Sequence, residues 1–317
     1  MKFPYEEFNF DEVRTYPLKS RHSKSRLDDF ARPFQRGTGI SGFVDGLPKL
    51  LAGKDFRQVV DALVCAHAEN AGIVWGIGAH VIKTGLSPTV IDLMERGFVS
   101  AVATNGAGMI HDFEIALAGA TSEDVNESLE PGRFGMADET GRLLNQAIND
   151  GVNAGLGIGQ AVGKFLDSIA PPHADASIFA AAHRLKVPVT VHVAIGTDVI
   201  HMHPQVEGAA LGKGSLCDFR YFVSSVARLG RGVYLNCGSA VLLPEVFLKA
   251  VALARNRGLD LRELTTVNLD FIRHYRPQTN VVERPTMGSN RGVSLVGHHE
   301  LLIPLLAAAL IERVEKA

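Results

Sequence analysis

The sequence predicts an α/β fold in which one parallel β-sheet has helices on both faces. Short apolar runs alternate along the chain with longer segments of helical periodicity. The apolar runs contain few polar residues, which is typical of strands buried on both faces. Hydrophobic residues make up 46% of the chain and charged residues 21%, and there are 32 glycines. This composition favours a globular enzyme over a disordered, fibrous or membrane protein.

The 317 residues suffice for one large core, so we expect a single α/β domain over residues 46–317. Residues 1–45 are polar and aromatic without a clear period and contain the basic run SRHSKSR. They predict an irregular N-terminal arm that either wraps its own fold or a neighbouring subunit, or is simply solvated.

The regular elements follow from apolar spacing. Phe56, Val59, Val60 and Leu63 have the spacing of an amphipathic helix, which opens the regular structure. Strands are then expected at about 72–75, 99–104, 187–193, 232–237, 264–270 and near Val281. Helices are expected at about 88–96, 107–117, 136–166 (interrupted by Gly155, Gly157 and Gly159), 171–185, 215–229, 244–255 and 301–314.

Charge and cysteine content exclude several classes of function. The net charge of -2 argues against binding to a nucleic-acid backbone, and we expect no nucleic-acid partner. The three cysteines are far apart, so neither a disulfide framework nor a thiolate zinc site is expected. The first residues lack the apolar segment of a secretory signal, and no apolar run approaches the roughly 20 residues of a membrane span. We therefore expect a cytoplasmic protein without a membrane partner.

Glycine-rich turns follow three of the expected strands: Gly76-Ile77-Gly78-Ala79, Thr104-Asn105-Gly106-Ala107-Gly108 and Gly238-Ser239-Ala240. Ligands of open parallel sheets bind outside the carboxyl ends of the strands. A helix N-terminus placed there favours an anion such as pyrophosphate. Small residues also let a strand and a helix pack closely, so one such turn alone leaves both explanations open. The three together favour a dinucleotide site, for which we expect NAD.

Two groups of titratable residues lie near these turns. His111 and Glu114 fall on one face of the helix after the second turn, and present an imidazole and a carboxylate together. Asp198, His201 and His203 follow the strand that contains His192. An extended His-x-His pair points both imidazoles to one side, which suits a metal, although polar loop histidines explain the pattern equally simply.

The order of these motifs resembles that of deoxyhypusine synthase. The segments that carry the resemblance are Ala103 to Asp112 with Glu114, Thr197 to Asp218, Val233 to Val241, and the closing Ser294-Leu295-Val296-Gly297-His298. Together with Gly78 to Gly85, the first segment is also similar to the NAD-binding domain of archaeal ornithine cyclodeaminases. The resemblance extends over roughly 73–304 and is stronger in the order of the motifs than in sequence identity.

The resemblance implies a Rossmann-like sheet, bound NAD, a homo-oligomer of four subunits and oxidation of a carbon that bears an amine. By position, the cofactor residues would be Thr104, Asn105, Gly106, Ala107, Gly238 and Ser239. The residues near a small-molecule amine substrate would be His111, Glu114 and Asp198, with the carboxylates as counter-charges.

One position departs from the family pattern. Deoxyhypusine synthase has a lysine in its closing Ser-Trp-Gly-Lys motif, and His298 stands there in this chain. An imidazole cannot form the imine that a primary amine forms with a carbonyl. We therefore expect retained NAD binding and an enzyme that oxidises or cyclises a small amine, amino acid or polyamine, with His298 and His111 as its catalytic acid and base and Glu114 and Asp198 holding the amine. The alternatives are a metal-dependent hydrolase that uses His201 and His203, or a non-catalytic NAD-binding protein.

Overall fold

A computed structural model describes residues 3–315 of the chain. Its centre is a six-stranded, entirely parallel sheet, as the sequence predicts. The strands are β1 (Ile73–Ile77), β2 (Ala101–Asn105), β3 (Val189–His192), β4 (Val233–Cys237), β5 (Thr265–Asp270) and β6 (Gly292–Val296). Their order across the sheet is β3-β2-β1-β4-β5-β6, so the chain reverses its direction of winding between β1 and β4.

Helices cover both faces of this sheet. In chain order they are α1 (Gly39–Gly46), α2 (Leu51–Ala68), α3 (Ala79–Lys83), α4 (Ser87–Glu95), α5 (Gly106–Ala118), α6 (Val125–Leu129), α7 (Asp138–Asn153), α8 (Ile158–Ile169), α9 (Ile178–Leu185), α10 (Gly208–Val226), α11 (Leu242–Asn256), α12 (Tyr275–Pro277) and α13 (His299–Glu315). Short 3-10 helices occur at Leu18–Ser20, Leu27–Asp29, Ala174–Ala176 and Val199–Met202, and a π-helix at Gln278–Glu283. No helix of residues 3–315 combines the length and the apolar character needed to cross a bilayer.

Successive strand residues pack into two different cores, because a strand points alternate side chains to opposite faces. Trp75 and Leu235 belong to the core that includes side chains of α2, α5 and α13. Val74 and Tyr234 belong to the core beneath α11 and the end of α10. Burial on both faces explains why the strands are apolar throughout their length.

The expected strand near Val281 is wrong. That segment is the π-helix, which packs across the start of β6 so closely that a side chain at Gly292 would overlap the carbonyl group of Val282. The sixth strand is instead Gly292–Val296, which contains part of the closing Ser294-Leu295-Val296-Gly297-His298 motif.

Three short helices, α3, α6 and α12, are not predicted from the sequence, and two longer ones begin elsewhere than expected. The helix expected from Pro171 begins at Ile178, and α10 begins at residue 208 rather than 215. Within the expected irregular arm of residues 1–45, residues 39–45 form most of α1, while residues 1 and 2 lie outside the described part of the chain.

Candidate functional site

The carboxyl ends of β1 and β4 meet at the topological switch point of the sheet, an edge that we call the crevice, where the two turns pack too closely for any residue but glycine. The Gly78 backbone N–H donates to the carbonyl oxygen of Cys237 at 2.8 Å. A Cβ atom built at Gly78 would lie 2.5 Å from the carbonyl oxygen of Gly238, and Gly238 itself has a φ of 72°. The two turns therefore require glycine for close backbone approach and for a left-handed conformation. This crevice is the position at which open α/β sheets bind ligands.

Aromatic and imidazole rings gather beside the crevice, at the ends of β1, β5 and β6. The ring centroid of His80 lies 5.5 Å from that of His299 and 6.2 Å from that of Phe271. Phe271 in turn stacks parallel to His298 at 6.4 Å. Phe271 is half exposed and the His298 side chain is 66% exposed, so these two rings face solvent at the mouth of the crevice.

His299 is the one fully buried ring of this group. Its Nε2 lies 3.0 Å from the carbonyl oxygen of Leu269, which can only accept, so Nε2 carries the hydrogen and Nδ1 has a free lone pair. Nδ1 is buried without a hydrogen-bond partner. The ring packs on Gly238, where an added Cβ would lie 2.5 Å from the His299 Cε1 atom. The buried His299 ring thereby fixes the position of the glycine turn at Gly238.

A carboxylate ends β5 next to these rings. Asp270 is 3% exposed, and its Oδ1 accepts the N–H of Phe271 at 2.8 Å. The Asp270 backbone carbonyl accepts the N–H of Gly297, which ties the end of β5 to the end of β6. No Lys or Arg side chain of residues 3–315 forms an ion pair with Asp270, so this buried carboxylate has no counter-charge from the chain itself.

The N-terminus of α5 is already capped by the chain itself. The Asn105 side chain accepts the N–H of Gly108 at 2.9 Å, and the Asp198 carboxylate accepts the N–H of Ala107. Asp198 lies so close to Gly106 that any side chain there would overlap it. The Thr104 hydroxyl donates to the carbonyl oxygen of Ile77 and joins the ends of β2 and β1. Thr104, Asn105, Gly106 and Ala107 thus each have a structural role at this turn.

Asp198 is a buried carboxylate with an imidazole nearby. Burial raises the pKa of Asp198, and the opposing effects of His201 and of the Ala107 N–H do not cancel it. The His201 Nδ1 accepts the N–H of Gly196 at 3.1 Å, so Nε2 carries the hydrogen and lies 3.9 Å from Asp198 Oδ2. The Asp198–His201 pair holds the loop after β3 against the start of α5.

His111 and Glu114 do lie together, as their helical spacing predicts. The Thr121 hydroxyl bridges them, 2.6 Å from His111 Nδ1 and 2.5 Å from Glu114 Oε2. Thr140 of α7 donates to the other Glu114 oxygen at 2.9 Å. Burial lowers the pKa of His111, against a smaller raising effect of Glu114.

The expected extended His-x-His pair is wrong, because Val199–Met202 is a 3-10 helix that sends the two rings in different directions. His201 faces Asp198, whereas His203 packs on α7 and its Nε2 lies 2.8 Å from the carbonyl oxygen of Gly135. His192 is buried behind them, and burial lowers its pKa to about 4. Within residues 3–315, no three His, Cys, Asp or Glu side chains are grouped to hold a metal ion.

The sequence-predicted site residues therefore fall into separate places. Asp198 lies at the start of α5, His111 and Glu114 lie further along that helix, and His298 lies across the sheet at the end of β6. The sequence patterns point to none of the three residues His80, Asp270 and Phe271. The signal for Asp270 was present, because a carboxylate that ends a buried apolar strand marks the edge at which ligands bind.

Solved structures similar to this chain have the same fold. Comparison of the sequence with protein-family models and with curated proteins gives no match. A conserved protein of the LOR/SDH type from Methanococcus maripaludis S2 is 19% identical at a TM-score of 0.51, over 84% of this chain and 71% of that one. A protein described as a deoxyhypusine synthase from Entamoeba histolytica is 12% identical at a TM-score of 0.51, over 89% and 96%.

A third similar structure is the ternary complex of AgrE with ornithine and NAD+, which is 15% identical at a TM-score of 0.57. The match covers 83% of this chain and 33% of AgrE, so the chain spans about a third of the length of that protein. At these identities the comparisons show the fold alone. The Rossmann-like sheet implied by the resemblance to deoxyhypusine synthase and ornithine cyclodeaminases is confirmed at that level.

Proposed function

We propose that this chain is an NAD-dependent enzyme that oxidises or cyclises a small amine, amino acid or polyamine. The observation that carries the proposal is the glycine-lined crevice between β1 and β4, with the buried Asp270 carboxylate and the exposed His298 on its β5–β6 side. A crevice of this kind suits a dinucleotide, and a carboxylate beside it suits a protonated amine. The complex of AgrE with ornithine and NAD+ supports the same pairing of ligands by analogy.

The residues of the crevice fit NAD. No side chain caps the turn from Gly78 into α3, whereas Asn105 and Asp198 already cap α5. A pyrophosphate beside Asp198 would meet a carboxylate, so Gly78 and the Gly238–Ser239 turn are the better cradle. Thr104, Asn105, Gly106 and Ala107 would then lie on the adenosine side. The His299 Nδ1 atom, buried without a hydrogen-bond partner, lies behind this cradle.

On the β5–β6 side, the chain's own residues hold the amine and move a proton. Asp270 supplies the counter-charge that keeps a cationic amine at the crevice, and Phe271 supplies an apolar wall beside it. NAD held in this crevice would supply the hydride acceptor for oxidation of the carbon that bears the amine. His298 is exposed and takes the proton released at the nitrogen. The absence of a lysine at this position argues against deoxyhypusine synthesis, and His111, Glu114 and Asp198 remain candidates for contacts with the far end of the substrate.

The test combines calorimetry with NAD and spectroscopic screening of amines for nicotinamide reduction. We expect saturable NAD binding and turnover of at least one amine such as ornithine. D270N should raise the KM for that amine about ten-fold or more without weakening NAD binding, because it removes only the counter-charge. D260N is the matched control, because Asp260 lies on the exposed loop at the opposite end of β5. It should leave the KM for the amine and NAD binding unchanged.

Three results separate this proposal from the alternatives. NAD binding without turnover of any amine would favour a non-catalytic NAD-binding protein. Equal effects of D270N and D260N would remove Asp270 from the site but leave the cofactor assignment standing. Absence of NAD binding would overturn the proposal as a whole. The homotetramer implied by the resemblance and a cytoplasmic location belong to the same proposal, and light scattering tests the first.

A further inference from the structure

The N-terminal arm has a charge pattern that divides it into two halves. Residues 3–13 contain four acidic side chains and no basic one: Glu6, Glu7, Asp11 and Glu12. Residues 14–26 contain five basic side chains and no acidic one: Arg14, Lys19, Arg21, Lys24 and Arg26. The arm is thus an acidic segment followed directly by a basic segment of similar length.

The arm also presents large aromatic side chains to solvent. Phe3, Tyr5, Phe8, Phe10 and Tyr16 are between 66% and 84% exposed. Exposed aromatic residues in series are uncommon on a monomer and indicate a surface that is covered by a partner. Apart from the contact between Phe8 and Phe10, none of these five rings packs on another ring among residues 3–315.

The arm is fixed to the body at its root, from Asp29 onward, whereas residues 3–26 form no hydrogen bond or ion pair with the body. The Asp29 carbonyl accepts the N–H of Lys49 at 2.8 Å, and the Glu312 carboxylate of α13 accepts the N–H groups of Ile40 and Ser41. Every hydrogen bond formed by residues 3–26 stays within the arm itself, up to Asp29. None of its nine charged side chains forms an ion pair with another residue of the described chain.

We propose that the arms of two copies of this chain pair antiparallel with each other across a two-fold axis. In that arrangement the acidic half of each arm faces the basic half of the other, so the same contact forms twice. A two-fold interface must be self-complementary, and an acidic segment joined to a basic one has that property only in the antiparallel orientation. A parallel pair would place like charges opposite one another.

The aromatic side chains supply most of the apolar area that this pairing can bury. A fully buried aromatic residue removes about 150–250 Å² from solvent. Ten rings, five from each arm, would therefore bury at most about 1,500–2,500 Å², which is the range of specific protein interfaces. Exposed ion pairs contribute little energy individually, so the charges set partner and direction while the rings supply most of the stability.

The test exchanges charges on the full-length protein and measures mass by light scattering. One variant carries E6K, E7K, D11K and E12K, and the other carries R14E, K19E, R21E, K24E and R26E. Each alone has an arm of a single sign and should show a two-fold lower mass than the wild type. An equimolar mixture should recover the wild-type mass, because each arm then finds its complement. The conservative variant R14K/R21K/R26K is the matched control and should keep the wild-type mass.

Several outcomes would overturn arm pairing. A monomeric wild type, or charge variants that keep the wild-type mass, would each do so, as would a mixture that fails to recover it. Because residues 3–26 form no hydrogen bond or ion pair with the body, thermal unfolding should be the same for all variants apart from the effect of dissociation. Replacing Phe8 and Phe10 by serine keeps the charges and should also lower the mass two-fold, which tests the apolar part independently.

Discussion

Two buried carboxylates, Asp112 and Asp218, serve as helix caps. Asp112 accepts the Ser177 hydroxyl at 2.5 Å and the N–H of Ile178 at 2.7 Å at the start of α9. Asp218 accepts the N–H groups of Gly159 and Val191, at the start of α8 and on β3. Burial nevertheless dominates, and it raises the pKa of Asp112 to about 6 and that of Asp218 to about 7.

The raised pKa of Asp218 gives a pH dependence of stability with a defined sign. Between about pH 4 and pH 7 the unfolded chain has released this proton while the folded chain retains it. Rising pH therefore favours unfolding, by at most about 1.4 kcal/mol per pH unit for one proton. The stability advantage of the wild type over D218N should shrink across this window in urea unfolding. The exposed Asp167, changed to Asn, is the control, and a constant difference for D218N would contradict the assignment.

For individual residues, the sequence predicts side-chain neighbours only where local geometry determines them. Helical spacing was enough to place His111 beside Glu114, although the bridging Thr121 lies beyond the end of the helix. Asp198 and Gly106 are far apart in sequence, and nothing local indicates that the carboxylate caps α5. His298 and His299 are adjacent in sequence, yet one is exposed and the other buried because α13 begins between them.

Among the elements, the segment from Asp198 to His203 shows how a short helix changes the meaning of a motif. In an extended chain the two histidines would share a face, whereas the 3-10 helix separates them. His203 instead joins the loop before α7 to α7 itself, since its ring lies between the Gly135 carbonyl and Gly141.

H203A should therefore destabilise the protein in a metal-independent way. It leaves the Gly135 carbonyl without its partner and opens a cavity against α7, so we expect a loss of about 2–4 kcal/mol in denaturant unfolding. H22A, on the exposed arm, should cost almost nothing. A chelator should leave the melting temperature of the wild type unchanged, and a marked fall on chelation would restore the metal hypothesis.

The sequence mispredicts elements where a short apolar run fits a strand and a helix equally well. The sequence predicts a strand near Val281, but Val281 and Val282 lie in the π-helix that crosses β6, and Gly292–Val296 pairs with β5 instead. Two adjacent valines favour either structure, and tertiary packing decides between them. The start of α9 is mispredicted for a similar reason. Pro171 fits a first helical turn, but Ser177 and Asp112 provide the actual cap of α9.

For the whole molecule, the alternation of apolar runs and helical segments sufficed to predict an all-parallel sheet with helices on both faces. Strand order did not follow from it, because the same alternation is compatible with several windings. The order matters for function, since it brings Gly78 and Gly238 into contact across 160 residues of sequence. The glycine turns were thus predicted correctly as features of the sheet edge, but their meeting at one crevice was not.

The most direct test of this account is the crystal structure of the protein with NAD added. We predict that the pyrophosphate lies over the turns at Gly78 and Gly238, with the nicotinamide toward His80, Phe271 and Asp270 and the adenosine toward Thr104 and Asn105. NAD bound elsewhere on the molecule, or no bound NAD in crystals of a protein that calorimetry also shows not to bind it, would contradict the account.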